Sequence, residues 1–127
     1  MTRDPNIPDE FDVYTVVVLR RPPHAPEMSE EELDRLQSAH LAHRAELGRS
    51  GKVVANGPFD EQSDPSFRGM SIFACDAAEA ARLSDDDPLV VVRRLVYDVM
   101  EWWVRAGTLA FPLTGGPVGD RRSMPDD

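Results

Sequence analysis

The sequence predicts one α+β domain with the element order β-α-β-β-α-β. An apolar, β-branched segment near the N-terminus is followed by a strong helix signal, and strand-like and helix-like stretches then alternate up to residue 111. With 127 residues and 41% hydrophobic content, the chain can build one hydrophobic core but hardly two. We therefore predict a single compact unit.

The first strand and the start of the first helix have clear local signals. Val13–Leu19 is apolar and β-branched almost throughout, which is typical of a strand covered on both faces. The proline-rich range Arg21–Pro26 can continue neither a strand nor a helix, so it is predicted to be a loop. The capping box at Ser29–Glu32, with its acidic first turn, marks the start of a helix.

The first helix carries an inward-facing stripe and ends at glycine. Residues at intervals of three and four form this stripe: Leu33, Leu36, His40, His43 and Leu47. Gly48 and Gly51 supply the predicted C-cap, after which Lys52–Asn56 is predicted as the second strand and Gly57–Pro58 as its end. Two histidines are therefore expected on the apolar side of this helix.

The second half of the chain repeats the β-α-β pattern of the first half. Phe67–Cys75 is close enough in sequence to form a hairpin with the second strand. Asp76–Leu83 has good helix formers behind an Asp cap, and Asp85–Pro88 breaks the helix. Val90–Arg94 is predicted to add a helical turn, and Val96–Arg105 alternates as a fourth strand. Trp102 and Trp103 lie there on opposite faces, where core packing of one under the helices is the simplest expectation.

This order is the ferredoxin-like split βαβ arrangement, in which an antiparallel sheet carries both helices on one face. The other face of the sheet needs a cover, so a homodimer formed sheet to sheet is predicted. The domain is expected to span residues 12–111. Residues 1–11 are predicted to be an N-terminal extension, and residues 112–127, rich in Gly, Pro and charge, a flexible C-terminal tail.

Composition excludes several classes of partner. A net charge of −9 disfavours nucleic acid and anionic membranes, because phosphate contacts require clustered Lys and Arg. No apolar run is long enough to span a bilayer and no signal peptide precedes the domain, so a cytoplasmic protein is expected. Cys75 cannot form an internal disulfide and is expected to act as a small buried hydrophobe. No Gly-rich phosphate loop, nucleophile elbow or metal-ligand cluster is present, which favours chemistry without a cofactor.

Four short motifs follow one another along the predicted elements: Ser38–Ala42 with its histidine, the strand Gly51–Pro58 ending in Gly-Pro, Phe67–Gly69 and Asp87–Val90. Together they resemble the YciI-like (YCII) family over about residues 12–111. Asn56–Glu61 also resembles the Asp-Gly-Pro-Phe signature of a sister branch, so the subfamily stays open. The resemblance implies a dimeric α+β barrel with one pocket per subunit. Some relatives act on chlorinated hydroxyquinols, and fold relatives isomerise lactones.

The resemblance also implies a His-Asp pair, which transfers onto His40 and Asp87. A histidine paired with a carboxylate is a competent acid or base near neutral pH. The alternative is a hydrogen-bonded core histidine, with Asp87 serving only as a turn former before Pro88. His40 and His43 form a His-x-x-His pattern but lack further metal ligands, so no metal site is predicted. The candidate substrate-binding residues, some of which are expected to line a cavity at His40, are Tyr14, Gly57, Pro58, Met70, Trp102 and Trp103.

Two functions remain open from the sequence. The first is a cofactor-independent enzyme of the isomerase or lyase type, in which His40 moves a proton on a small cyclic or aromatic substrate. The second is a non-catalytic module that binds a small ligand or assists another enzyme. The sequence names no substrate for either one.

Overall fold

The computed structural model describes residues 4–111, so the predicted tail at 112–127 lies outside the described residues. The elements are β1 (Phe11–Arg20), α1 (Glu30–Arg49), β2 (Val53–Pro58), β3 (Phe67–Phe73), α2 (Ala77–Asp85), α3 (Pro88–Val91) and β4 (Val96–Arg105). The predicted β-α-β-β-α-β order is confirmed, with the short α3 added after α2. No helix within residues 4–111 has both the length and the apolar character to span a membrane.

The strands form one antiparallel sheet in the order β2-β3-β1-β4. β1 is central, with Val17 opposite Ser71 of β3 on one side and opposite Val99 of β4 on the other. The β-branched sequence of β1 suits this position, because the strand pairs along both edges. This strand order is the predicted ferredoxin-like arrangement.

The two faces of the sheet have different environments because side chains alternate along each strand. One face packs against the helices and forms the buried core, whose members are Val17, Leu19, Leu36, Leu47, Val53, Phe73, Ala80, Leu89 and Leu95. We call the other the open face, since no element of residues 4–111 packs over it. The open face carries Tyr14, Val16 and Val18 of β1, Met70 and Ile72 of β3, and Met100 and Trp102 of β4.

α1 begins and ends as its sequence predicts. The Ser29 hydroxyl oxygen accepts a hydrogen bond from the Glu32 backbone N–H at 3.1 Å, which satisfies one free donor of the first turn. At the other end, the Lys52 N–H donates to the Leu47 carbonyl at 3.1 Å in a Schellman arrangement. Gly51 has φ +79° there, a left-handed conformation that glycine adopts without strain.

The turn after α2 starts earlier than predicted. The sequence placed a helical turn at Val90–Arg94, whereas α3 runs over Pro88–Val91. The reason lies in Asp87, whose Oδ1 accepts a hydrogen bond from the Leu89 N–H at 3.0 Å and caps this turn. Proline favours the first helical position, because its missing N–H would have no partner there. Asp87 and Pro88 together therefore fix where α3 begins.

Candidate active site

His40 and Asp87 are in direct contact. α1 turns His40 toward α3, and the distance from His40 Nδ1 to Asp87 Oδ2 is 2.7 Å. The His40 side chain is 13% exposed to solvent, whereas the Asp87 side chain is fully buried. The proximity that the sequence predicted for this pair is therefore present in the structure. Its catalytic role remains a prediction.

Asp87 is held by three hydrogen-bond donors. Oδ1 accepts from the Leu89 backbone, and Oδ2 accepts from His40 and, at 3.1 Å, from Arg44 Nη2. Burial alone raises the pKa of Asp87, but the hydrogen bond and charge of His40, the charge of Arg44 and the Leu89 N–H outweigh it. The pKa of Asp87 is consequently below its ordinary value of 3.8, and the carboxylate is ionised near neutral pH.

Arg44 extends the contact into a buried polar network. Its Nη1 donates to Ser71 Oγ at 3.2 Å, and the Ser71 hydroxyl donates to Asn56 Oδ1 at 2.8 Å. Arg44 and Ser71 are both buried. We call the five residues from His40 through Asp87, Arg44 and Ser71 to Asn56 the polar network. It ties α1 and the α3 turn to strands β3 and β2.

Sequence reasoning missed Arg44 and Ser71 as parts of the site. The spacing of Arg44 could have indicated its role. It lies four residues after His40 and three before Leu47, which places it on the same inward-facing stripe of α1. An arginine on an inward-facing stripe requires a buried acidic partner. Ser71 shares the helix-covered face of β3 with Phe73, two residues away, although nothing in its own sequence pattern marks it as functional.

His43 approaches the same carboxylate without bonding to it. The distance from His43 Nδ1 to Asp87 Oδ2 is 3.9 Å, and this buried nitrogen has no hydrogen-bond partner among the described residues. Burial lowers the pKa of His43 below 6.5, and the charges of Arg44 and His40 add to that effect against the attraction of Asp87. Within residues 4–111, no group of three or more His, Cys, Asp and Glu residues is placed to hold a metal ion.

The candidate substrate-binding residues lie away from the pair. A β2 groove of about 270 Å³ is lined by Ala55, Asn56, Gly57, Pro58, Phe59, Met70 and Ile72. A β4 groove of about 280 Å³ is lined by Val16, Met70, Met100, Glu101 and Trp102. His40 lines neither groove. Within residues 4–111, neither groove joins His40 to Tyr14, Met70 or a β4 tryptophan, because Tyr14, Met70 and Trp102 alternate onto the open face.

The two tryptophans are not core residues within the described chain. Trp102 is opposite Tyr14 and Trp103 is opposite Val13, so they occupy opposite faces as predicted. Trp102 is 40% exposed and Trp103 57% exposed, and the expected packing of one of them under the helices is wrong. α2 contacts β4 through Tyr97, whose hydroxyl is 2.7 Å from Asp85 Oδ1. This contact lies near the start of β4, which leaves Trp103 beyond the cover of the helix.

Comparisons with known proteins give a fold-level likeness only. No family model matches the chain, and no curated protein matches it. Among solved structures, it is similar to 5-chloro-2-hydroxyhydroquinone dehydrochlorinase (TftG) from Burkholderia phenoliruptrix AC1100, in complex with 2,5-dihydroxybenzoquinone. The identity is 18%, the coverage is 72% of this chain and 93% of that chain, and the TM-score is 0.49.

The chain is also similar to a candidate antibiotic biosynthesis monooxygenase from Chloroflexus aurantiacus J-10-fl. The identity is 16%, with 85% of this chain and 100% of that chain covered, and the TM-score is 0.37. Membership of the YCII family stays a prediction.

The contact between His40 and Asp87 has a definite chemical consequence. With Nδ1 bonded to the carboxylate, the neutral ring carries its proton on Nδ1 and its lone pair on Nε2. The His40 side chain is 13% exposed, so part of it faces solvent. The same carboxylate stabilises the imidazolium that forms when Nε2 takes up a proton. This is the arrangement that a histidine general base requires.

Proposed function

We propose that the chain is a cofactor-independent enzyme in which His40 transfers a proton on a small cyclic or aromatic substrate. The observation that carries the proposal is a partly exposed histidine whose Nδ1 lies 2.7 Å from a fully buried carboxylate. In this role His40 Nε2 removes a proton from substrate carbon. Asp87 orients the ring and stabilises its charged form, without touching the substrate.

The same step serves three kinds of reaction. In isomerisation and in lactone rearrangement, His40 returns the proton to a different atom of the substrate. In elimination of halide, the electron pair of the broken C–H bond forms a double bond. The carbon–halogen bond breaks at the same time, and its electron pair leaves with the halide. All three reactions need one base and no redox partner.

The proposal includes a homodimer in the cytoplasm, formed by pairing the open faces of two copies. Support comes from exposed Met100 and Trp102 on that face, beside two grooves lined mainly by apolar side chains. Pairing would enclose both grooves and give a small molecule an apolar chamber. The predicted substrate-binding residues remain Tyr14, Gly57, Pro58, Met70, Trp102 and Trp103. Because His40 lines neither groove, a ligand held in a groove does not contact His40 of the same chain, and this placement favours ligand binding over proton transfer for these residues.

A non-catalytic ligand-binding or accessory module is the second candidate. The observation that favours it is the separation of the two grooves from His40, which lies on the helix-covered face of the sheet. In that case a ligand would sit in a groove, and the polar network would serve only to fasten α1 and α3 to the sheet. Buried polar networks do have such structural roles.

The deciding experiment is a turnover and crystal-soaking screen with hydroxyquinols and small lactones. For any substrate found, His40→Ala should lower kcat by about 10²–10⁴-fold while the melting temperature changes little. His24→Ala, in the exposed loop before α1, is the matched control and should retain full activity. Binding without turnover, together with loss of stability in His40→Ala, would instead support the accessory module.

A further inference from the structure

Two histidine rings approach one carboxylate oxygen. Asp87 Oδ2 is 2.7 Å from His40 Nδ1 and 3.9 Å from His43 Nδ1. His43 Nδ1 is buried and has no other partner in the described part of the chain, so it would gain a hydrogen bond if the carboxylate moved toward it. Something must therefore hold Oδ2 on His40.

Arg44 is placed to do this. Its Nη2 is 3.1 Å from the same Oδ2, and its Nη1 is 3.2 Å from Ser71 Oγ. Because the guanidinium is a rigid, planar fork, fixing one nitrogen on Ser71 fixes the direction of the other. Ser71 is in turn anchored by its bond to Asn56 at 2.8 Å. The fork is thus braced on β3 and β2 and presents one N–H to Asp87.

We propose that Arg44 is the positioning residue of the pair: it keeps Asp87 Oδ2 on His40 rather than His43 and so maintains the tautomer that leaves the His40 Nε2 lone pair free. The Arg44 side chain is only 2% exposed, so it acts through Asp87 and not on a reactant. Its charge also balances the buried carboxylate, which therefore does not require an imidazolium beside it. The catalytic meaning of this role rests on the proposed function, whereas the tautomer itself does not.

The test is ¹⁵N NMR of the histidine ring nitrogens at alkaline pH, where the protonated nitrogen of each neutral ring can be read directly. In the wild-type protein, His40 should be mainly the Nδ1–H tautomer. Ser71→Ala removes the brace without changing the charge, and should lower the ratio of Nδ1–H to Nε2–H by about fivefold, the effect of losing one ordinary hydrogen bond. Arg44→Lys keeps the charge but not the fork, and should lower it at least as much.

Arg49→Met is the control, because this arginine at the exposed end of α1 bonds Glu46 and lies outside the polar network. It should leave the ratio unchanged. An unchanged ratio in folded Ser71→Ala and Arg44→Lys would overturn the proposal. A wild-type tautomer ratio in Arg44→Lys would also overturn it, even if Ser71→Ala changed the ratio, because the positive charge would then be sufficient without the planar guanidinium.

Turnover is a separate readout that distinguishes this inference from the proposed function. If a substrate is found, Arg44→Lys should lower kcat and leave KM nearly unchanged, because Arg44 does not touch the substrate. If no compound is turned over but the tautomer ratio shifts as expected, the enzyme proposal fails and the positioning role stands. The NMR result decides the positioning role in either case.

Discussion

Asp87 uses its two oxygens for two different purposes. Oδ1 caps α3 through the Leu89 N–H, and Oδ2 joins His40 to Arg44. The first bond is local and could be made by any good capping residue. The second depends on charge, because only an ionised carboxylate balances the buried arginine. The Asp87 side chain therefore serves both the fold and the proposed chemistry.

Replacing Asp87 should be costly for this reason. We expect Asp87→Ala to reduce the free energy of unfolding by about 3–5 kcal/mol, since it leaves the Arg44 charge buried and unpaired. Urea denaturation measures the change. Asp86→Ala is the matched control, because Asp86 is exposed and should cost no more than about 0.5 kcal/mol. Equal effects of the two substitutions would contradict the polar network.

His43 should make stability depend on pH. Its folded-state pKa lies below the ordinary value of 6.5, so the unfolded chain takes up the proton first. The free energy of unfolding should therefore fall as pH drops through about 6.5 and continue to fall until the folded-state pKa is passed. His43→Gln should flatten this part of the profile, measured by urea denaturation between about pH 8 and pH 5. His24→Gln should leave the profile as it is in the wild-type protein.

The sequence predicts the bounds of helices and strands best where a local signal agrees with the tertiary packing. β4 has its predicted bounds, and α1 begins at its predicted cap, because alternation and capping are local properties. The predicted turn at Val90–Arg94 is displaced because Asp87 not only follows the end of α2 but also caps the next turn. The same residue can do both.

The candidate site was predictable only in part. Periodicity placed His40 on the inner side of α1, and the family resemblance supplied Asp87, which spacing alone could not. Ser71 and Asn56 belong to the polar network because the register of β2 with β3 places these two residues opposite each other. Sequence alternation does not show which face of a sheet the helices will cover. The separation of Met70 from His40 consequently became visible only in three dimensions.

A pair of glycine substitutions tests the packing of these elements. A Cβ at Gly69 of β3 would lie 2.8 Å from the Gly57 carbonyl oxygen, so Gly69→Ala should push β2 from β3 and cost about 1–3 kcal/mol. Gly48→Ala in α1 meets no atom within 4 Å and should stabilise by about 0.5–1 kcal/mol, because alanine restricts the unfolded chain. Thermal unfolding of both variants checks the signs. A stabilised Gly69→Ala would show that the two strands can separate without loss.

For the whole molecule, the open face is the feature that the described chain leaves unexplained. It is apolar in its middle, at Val16, Met70 and Met100, whereas an Arg20–Asp98 ion pair lies toward one end, and it contains both grooves. Soluble monomers rarely expose so continuous an apolar surface. With a net charge of −9, two copies must also overcome their mutual repulsion, so the apolar contact has to dominate.

Light scattering tests the proposed dimer directly. The wild-type protein should have twice the mass of the 14.2 kDa chain, and Met100→Glu should reduce it to that of the single chain. The reason is that pairing would bury an unpaired charge on the open face. Val91→Glu, at an exposed position of α3 away from that face, is the control and should remain dimeric. A wild-type species of 14.2 kDa alone would end the proposal.

The hydrogen bond from the Leu89 amide to Asp87 Oδ1 turns one backbone proton into a reporter of the candidate site. α3 is a single turn, so its amide protons can exchange with solvent through a small local opening that leaves the sheet intact. Exchange at the Leu89 amide therefore reports the fraction of molecules in which the hydrogen bond to Asp87 is broken. The remaining fraction holds the assembled His40–Asp87 pair. That population can be followed with no substrate in hand, and it sets an upper bound on the share of molecules able to react.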